Sequence, residues 1–76
     1  MREFIIKKQL EHFILDKFVN FEEYQDKFYL KKRIQEIVPG KNDDIVYRAI
    51  EEANTVLKPP RKRTDYIRVL LENLQI

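Results

Sequence analysis

Groups able to carry chemistry are sparse in this sequence. It has one histidine, His12, and neither cysteine nor serine. The remaining nucleophile candidates are Thr55, Thr64, four tyrosines and the lysines, and these need a neighbouring base or a lowered pKa to react. His12 is the only side chain with an ordinary pKa near neutrality. It stands four residues before Asp16, where a surface ion pair accounts for it. No second histidine or cysteine exists to complete a metal site around it.

The carboxylates also have plain structural explanations. Asp43 and Asp44 follow Asn42 and precede an apolar run, the pattern of a helix start. The regular oxygen spacing and internal glycine of an EF-hand loop are missing. Glu22 and Glu23 open another predicted helix, and Glu51 and Glu52 fall on the outer face of a third. A single glycine, Gly40, cannot build a phosphate-cradling loop of the Walker or dinucleotide type. The sequence therefore predicts no catalytic residue, no metal, no cofactor and no small-molecule substrate.

Charge is more informative. The formal net charge is only +2, but its distribution is uneven. Between Lys58 and Arg68 lie five cations (Lys58, Arg61, Lys62, Arg63 and Arg68) and one acid, Asp65. The rest of the chain is net acidic. These cations stand where the fourth helix is expected to begin, and a helix N-terminus already offers free N–H donors that favour an anion. Arginine adds a planar fork suited to phosphate or carboxylate. Lys58, Arg61, Lys62, Arg63, Thr64 and Arg68 thus form a candidate anion or nucleic-acid site, set against the plainer reading of an exposed loop neutralised by Asp65, Glu51 or Glu52. Lys31, Lys32 and Arg33 are consecutive on a predicted helix and point about 100° apart, so they make no single patch.

A third candidate is aromatic. Phe13, Phe18, Phe21, Tyr24, Phe28 and Tyr29 fall within seventeen positions. Most are expected in the core. Phe21, Tyr24, Phe28, Tyr29 and Tyr47 are the candidates for a protein-binding or self-association surface, because so short a chain leaves part of a helix uncovered.

The elements that must position these groups are read from periodicity. Ile6, Leu10, Phe13 and Ile14 predict a helix over residues 2–17, although its first residues could be extended. Asn20 with Glu23 three residues later resembles a capping box, opening a second helix over 21–38. Its apolar stripe rotates, with Phe21, Tyr24 and Phe28 on one side and Leu30, Ile34 and Ile37 on another. Pro39-Gly40 ends it. Asn42 or Asp43 caps a third helix over 44–57, whose stripe of Val46, Ile50, Ala53 and Leu57 predicts the most buried element. Thr64 is the expected cap of a fourth helix over 65–74, with Ile67, Leu70, Leu71 and Leu74 inward. No period-2 run of strand residues persists. A helix-turn-helix reading of the second and third helices fails on charge, since Glu51 and Glu52 would face the phosphates.

The expected fold is all-α: one domain over residues 1–76, a bundle of about four helices. Apolar runs such as Phe4-Ile5-Ile6 and Phe13-Ile14-Leu15 are far shorter than the roughly 20 residues of a membrane span, so no membrane partner is expected, and a cytoplasmic location is. The expected function is non-enzymatic: a small regulatory or adaptor module that binds another protein or a second copy of itself. The alternative is nucleic-acid binding through the 58–68 segment.

Overall fold

A computed structural model of the chain describes residues 2–75, with side chains from residue 4. The chain runs α1 (Arg2–Phe13), β1 (Phe18–Val19), α2 (Tyr24–Ile37), α3 (Asp43–Val56), β2 (Arg61–Lys62) and α4 (Arg63–Leu74). It is an all-α bundle of four helices, with one two-residue antiparallel ladder joining β1 to β2.

Each helix buries most of the stripe its spacing predicts, but Phe13, expected on the inner face of α1, is 37% exposed, and Ile37 and Leu57 are only partly covered. Ile6 and Leu10 seat α1, Leu30 and Ile34 seat α2, and Val46, Ala49, Ile50 and Ala53 seat α3. The most buried helix is α4 rather than α3: Tyr66, Ile67, Val69, Leu70, Leu71 and Leu74 are all inside. The reason is its position, since α4 packs against α3, α1 and both strands. Full burial of an aliphatic side chain of this size contributes about 1.5–3 kcal/mol, so this helix organises the interior.

Three boundaries differ from the periodicity. The α1 helix ends at Phe13 instead of residue 17. Ile14 N still donates to Leu10 O at 2.8 Å, but the chain then extends so that Phe18 pairs with Lys62 and Val19 with Arg61. Val19 is buried by that pairing. The α2 helix begins at Tyr24 instead of Phe21. Glu23 holds the N-cap position without a side-chain bond, and Asn20 plays no capping part. The α4 helix begins at Arg63 with Lys62 at its N-cap and no side-chain cap, so Thr64 lies inside the first turn. For α4, the ladder residue Lys62 is itself the N-cap, so strand pairing sets the entry of that helix.

The α3 start follows expectation. Asn42 Oδ1 accepts from Ile45 N at 2.9 Å, and Asp43 and Asp44 fill the first turn. Gly40 has φ +100°, a conformation open to glycine but strained for other residues, and it lets the α2–α3 connection turn tightly.

Candidate functional site

The predicted basic segment is divided by the fold. Arg61 is only 5% exposed. Its Nε donates to Leu57 O at 2.6 Å and its Nη2 to Asn54 O at 2.8 Å. The same Nη2 stands 3.3 Å from Glu22 Oε1. Leu57 is the C-cap of α3 and Asn54 lies in its last turn. The guanidinium therefore satisfies carbonyls that the helix end leaves open, at the negative pole of its dipole. This withdraws Arg61 from the solvent-facing cations with which its neighbours in sequence had grouped it.

Around Arg61 lies a polar junction with no signature in the sequence. Asn54 Nδ2 donates to Phe21 O at 3.0 Å, and Asn54 Oδ1 accepts from the Tyr66 hydroxyl at 2.8 Å. The Phe21 ring lies 5.5 Å from the Tyr66 ring. One asparagine thus ties α3 to α4 and to the segment before α2. Burial pushes the Tyr66 phenol above its ordinary 10.0; the Arg61 charge opposes this, and Glu51 and Glu22 add to it. Phe21, a candidate surface residue from sequence, belongs to this junction. The continuation Tyr66, Leu70, Leu74 at helical spacing is the signal that could have placed Tyr66 in the core.

The other predicted basic residues separate. Arg68 lies exposed, 3.6 Å from Glu72 one turn on. Lys58 is exposed, as are Lys62 and Thr64. Arg63 is half-buried, and its Nη1 donates to Ile14 O at 3.3 Å. Lys62, Arg63 and Thr64 line a shallow groove of about 260 Å³ together with Leu15 and Lys17. Thr64 and Arg68 also border a groove of about 460 Å³ with Phe4, Lys7 and Leu71.

The aromatic candidates converge more closely. On the outer seam between α2 and α3, the Tyr24 ring lies 6.4 Å from the Phe28 ring and 6.4 Å from the Tyr47 ring, with interplanar angles of 23° and 24°. Tyr29 meets Phe28 edge-on at 5.9 Å. Tyr24 remains 73% exposed and Tyr29 is exposed, while Phe28 and Tyr47 are half-covered. Two ion pairs flank the stack. Lys27 Nζ meets Glu51 Oε1 at 2.5 Å, and Lys31 Nζ lies 3.4 Å from Asp43 Oδ1.

Lys31 is the unexpected member. It is buried although charged, with its ammonium 4.7 Å from the Phe28 ring centre and 5.6 Å from that of Tyr47. Ring faces and a carboxylate together replace the water it loses. Asp43 is held below its ordinary 3.8, chiefly by the Gln35 amide; desolvation opposes this, and the Lys31 ammonium adds to the lowering. Tyr47 is pushed above its ordinary 10.0, first by desolvation and then by the neighbouring Tyr24 phenol. The seam is thus a cluster of neighbouring rings flanked by paired charges.

Among the described residues there is no cluster of three or more acids, histidines or cysteines able to hold a metal ion. No helix among them is long and apolar enough to cross a membrane. No family model, curated protein or solved structure matches this chain.

Proposed function

We propose that this chain is a non-enzymatic binding module of the cytoplasm, docking onto another protein or a second copy of itself through the α2–α3 aromatic seam. The observation that carries this reading is Tyr24. Its ring is 73% exposed yet set beside those of Phe28 and Tyr47. A tyrosine already fixed by its neighbours loses little rotamer freedom on docking, and offers a large apolar face with a polar tip. Tyrosine is among the residues that dominate interface energetics, above all when surrounded by groups that exclude water. The core closes without Tyr24, so packing alone does not account for its position.

The nucleic-acid alternative draws less support. Arg61 is engaged with α3 carbonyls and Arg68 lies beside Glu72. The aromatic seam, which could stack bases, carries Asp43 and Glu51 each paired with a lysine, so these four charges cancel and add no attraction for a phosphate backbone.

The test compares wild type with the Tyr24→Ala/Tyr47→Ala double variant by light scattering across concentration, and by capture on immobilised protein. The expected result is a self-associated species or a retained partner that the variant loses, a drop of about tenfold or more for hot-spot tyrosines. A strictly monomeric wild type that retains nothing, or equal behaviour of the two proteins, would overturn the reading. A salt-dependent shift with short DNA or RNA would move the assignment to the alternative.

A further inference from the structure

The α1–β1 connection forms a second exposed surface, on different residues from the seam. Arg63 brackets it with two bonds. Its backbone N donates to Lys17 O at 2.8 Å and its side chain to Ile14 O at 3.3 Å. Between those two carbonyls lie Leu15 and Asp16. Leu15 is 75% exposed, the highest of the large apolar side chains among the described residues, and Phe18 is 46% exposed. The next residues are fixed by the ladder, with Phe18 opposite Lys62. A leucine held outward by hydrogen bonds on both sides is presented to solvent by a rigid frame.

Leu15 divides two shallow grooves of different character. One, of about 260 Å³, is lined by Leu15, Lys17, Lys62, Arg63 and Thr64: three cations and no acid. The other, of about 360 Å³, has a mixed lining in which Phe13, Phe18 and Phe21 stand with Asp16, Asn20 and Asp26. Charge complementarity selects the occupant of the first groove, and the exposed Leu15 and Phe18 beside it offer an apolar contact.

We infer that this surface docks an acidic segment of a partner protein, with glutamate or aspartate side chains against Lys17, Lys62 and Arg63 and an adjacent apolar side chain seated beside Leu15 and Phe18. Two concavities suit side chains better than they suit a flat bilayer. The inference shares only the binding-module character of the proposed function and uses none of the seam residues, so the two can fail separately.

The test is an amide-resolved NMR titration of the full-length chain with three synthetic peptides of equal length. The first alternates glutamate with leucine and phenylalanine. The second keeps the glutamates and replaces the apolar residues by serine. The third replaces glutamate by lysine. A parallel titration uses vesicles of phosphatidylcholine containing phosphatidylserine. The first peptide is expected to move the amides of Leu15, Lys17, Lys62, Arg63 and Thr64, and to bind about tenfold more tightly than either control. Lys17→Glu/Lys62→Glu should abolish the effect and Leu15→Ser weaken it, while Tyr24→Ala leaves it unchanged. All these positions are exposed, and the dispersion of each variant's spectrum verifies that it has folded. Four results would overturn the inference: equal binding of the serine peptide, equal binding of the lysine peptide, no shift with any peptide up to about 1 mM, or a response to vesicles in place of peptides.

Discussion

At the scale of single residues, neighbours in sequence part company in role. Arg61 and Lys62 are adjacent, both basic and both in β2, yet one holds α3 to the rest of the fold while the other faces water. Removing Arg61 leaves two α3 carbonyls without their donor in a buried setting. Arg61→Ala is expected to cost about 2–4 kcal/mol in urea unfolding, against less than about 0.5 kcal/mol for Lys62→Ala. Arg61→Lys should not restore stability, because a single ammonium cannot reproduce the fork that reaches Leu57 O and Asn54 O together. Tyr66 offers a second case. Its hydroxyl is matched to Asn54 Oδ1, so Tyr66→Phe leaves that oxygen unpaired and should cost about 1–2 kcal/mol at neutral pH. Composition and spacing revealed that this chain gathers positive charge after Pro59-Pro60. They could not reveal which cation turns inward, because that depends on an α3 end and a Glu22 brought close only by folding.

At the scale of elements, the apolar stripes were legible and the boundaries less so. Ile14 continues the spacing of Ile6 and Leu10 and is buried with them, so periodicity extends α1 past its true end. What stops the helix is the pairing of Phe18 and Val19 with residues more than forty positions away, and a local pattern holds no trace of such a partner. The same ladder sets the start of α4 and displaces Thr64 from its expected cap. Asn42 is different, because its capping bond to Ile45 is local. Asn42→Ala should cost about 1 kcal/mol and lower the thermal midpoint by several degrees in a domain of this size. The aromatic residues depart from expectation: most are expected in the core, yet Phe13, Phe18, Tyr24 and Tyr29 are exposed and Phe28 is half-covered, while Phe21 belongs to the Arg61 junction. Lys31 was masked by its place in the Lys31-Lys32-Arg33 run, where nothing local separates a buried lysine from its exposed neighbours.

At the scale of the whole molecule, a chain of 76 residues works with a narrow stability margin, so titration of a few groups should be visible in unfolding. Tyr66 is raised above 10.0: the folded state favours the neutral phenol. Its contribution is complete below pH 10 and is lost as pH rises beyond it. Asp43 is lowered below 3.8: the folded state favours the carboxylate, and that contribution is complete above this value and lost as pH falls beneath it. Urea midpoints against pH should therefore form a plateau that declines at both ends, and Tyr66→Phe should flatten the alkaline decline. A wild-type profile that stays level above pH 10 would contradict the burial of a proton-bearing Tyr66.

The account as a whole holds that the interior is closed by α4 and the Arg61 junction, which leaves the α2–α3 rings free to meet a partner. The most direct test is the amide spectrum of the wild-type chain, followed across a hundredfold range of its own concentration and then with any protein it retains. The account predicts that resonances of Tyr24, Phe28 and Tyr47 move while those of Leu30, Ile34 and Val46 stay in place. Seam resonances that remain fixed under every condition, or changes confined to other faces, would contradict it.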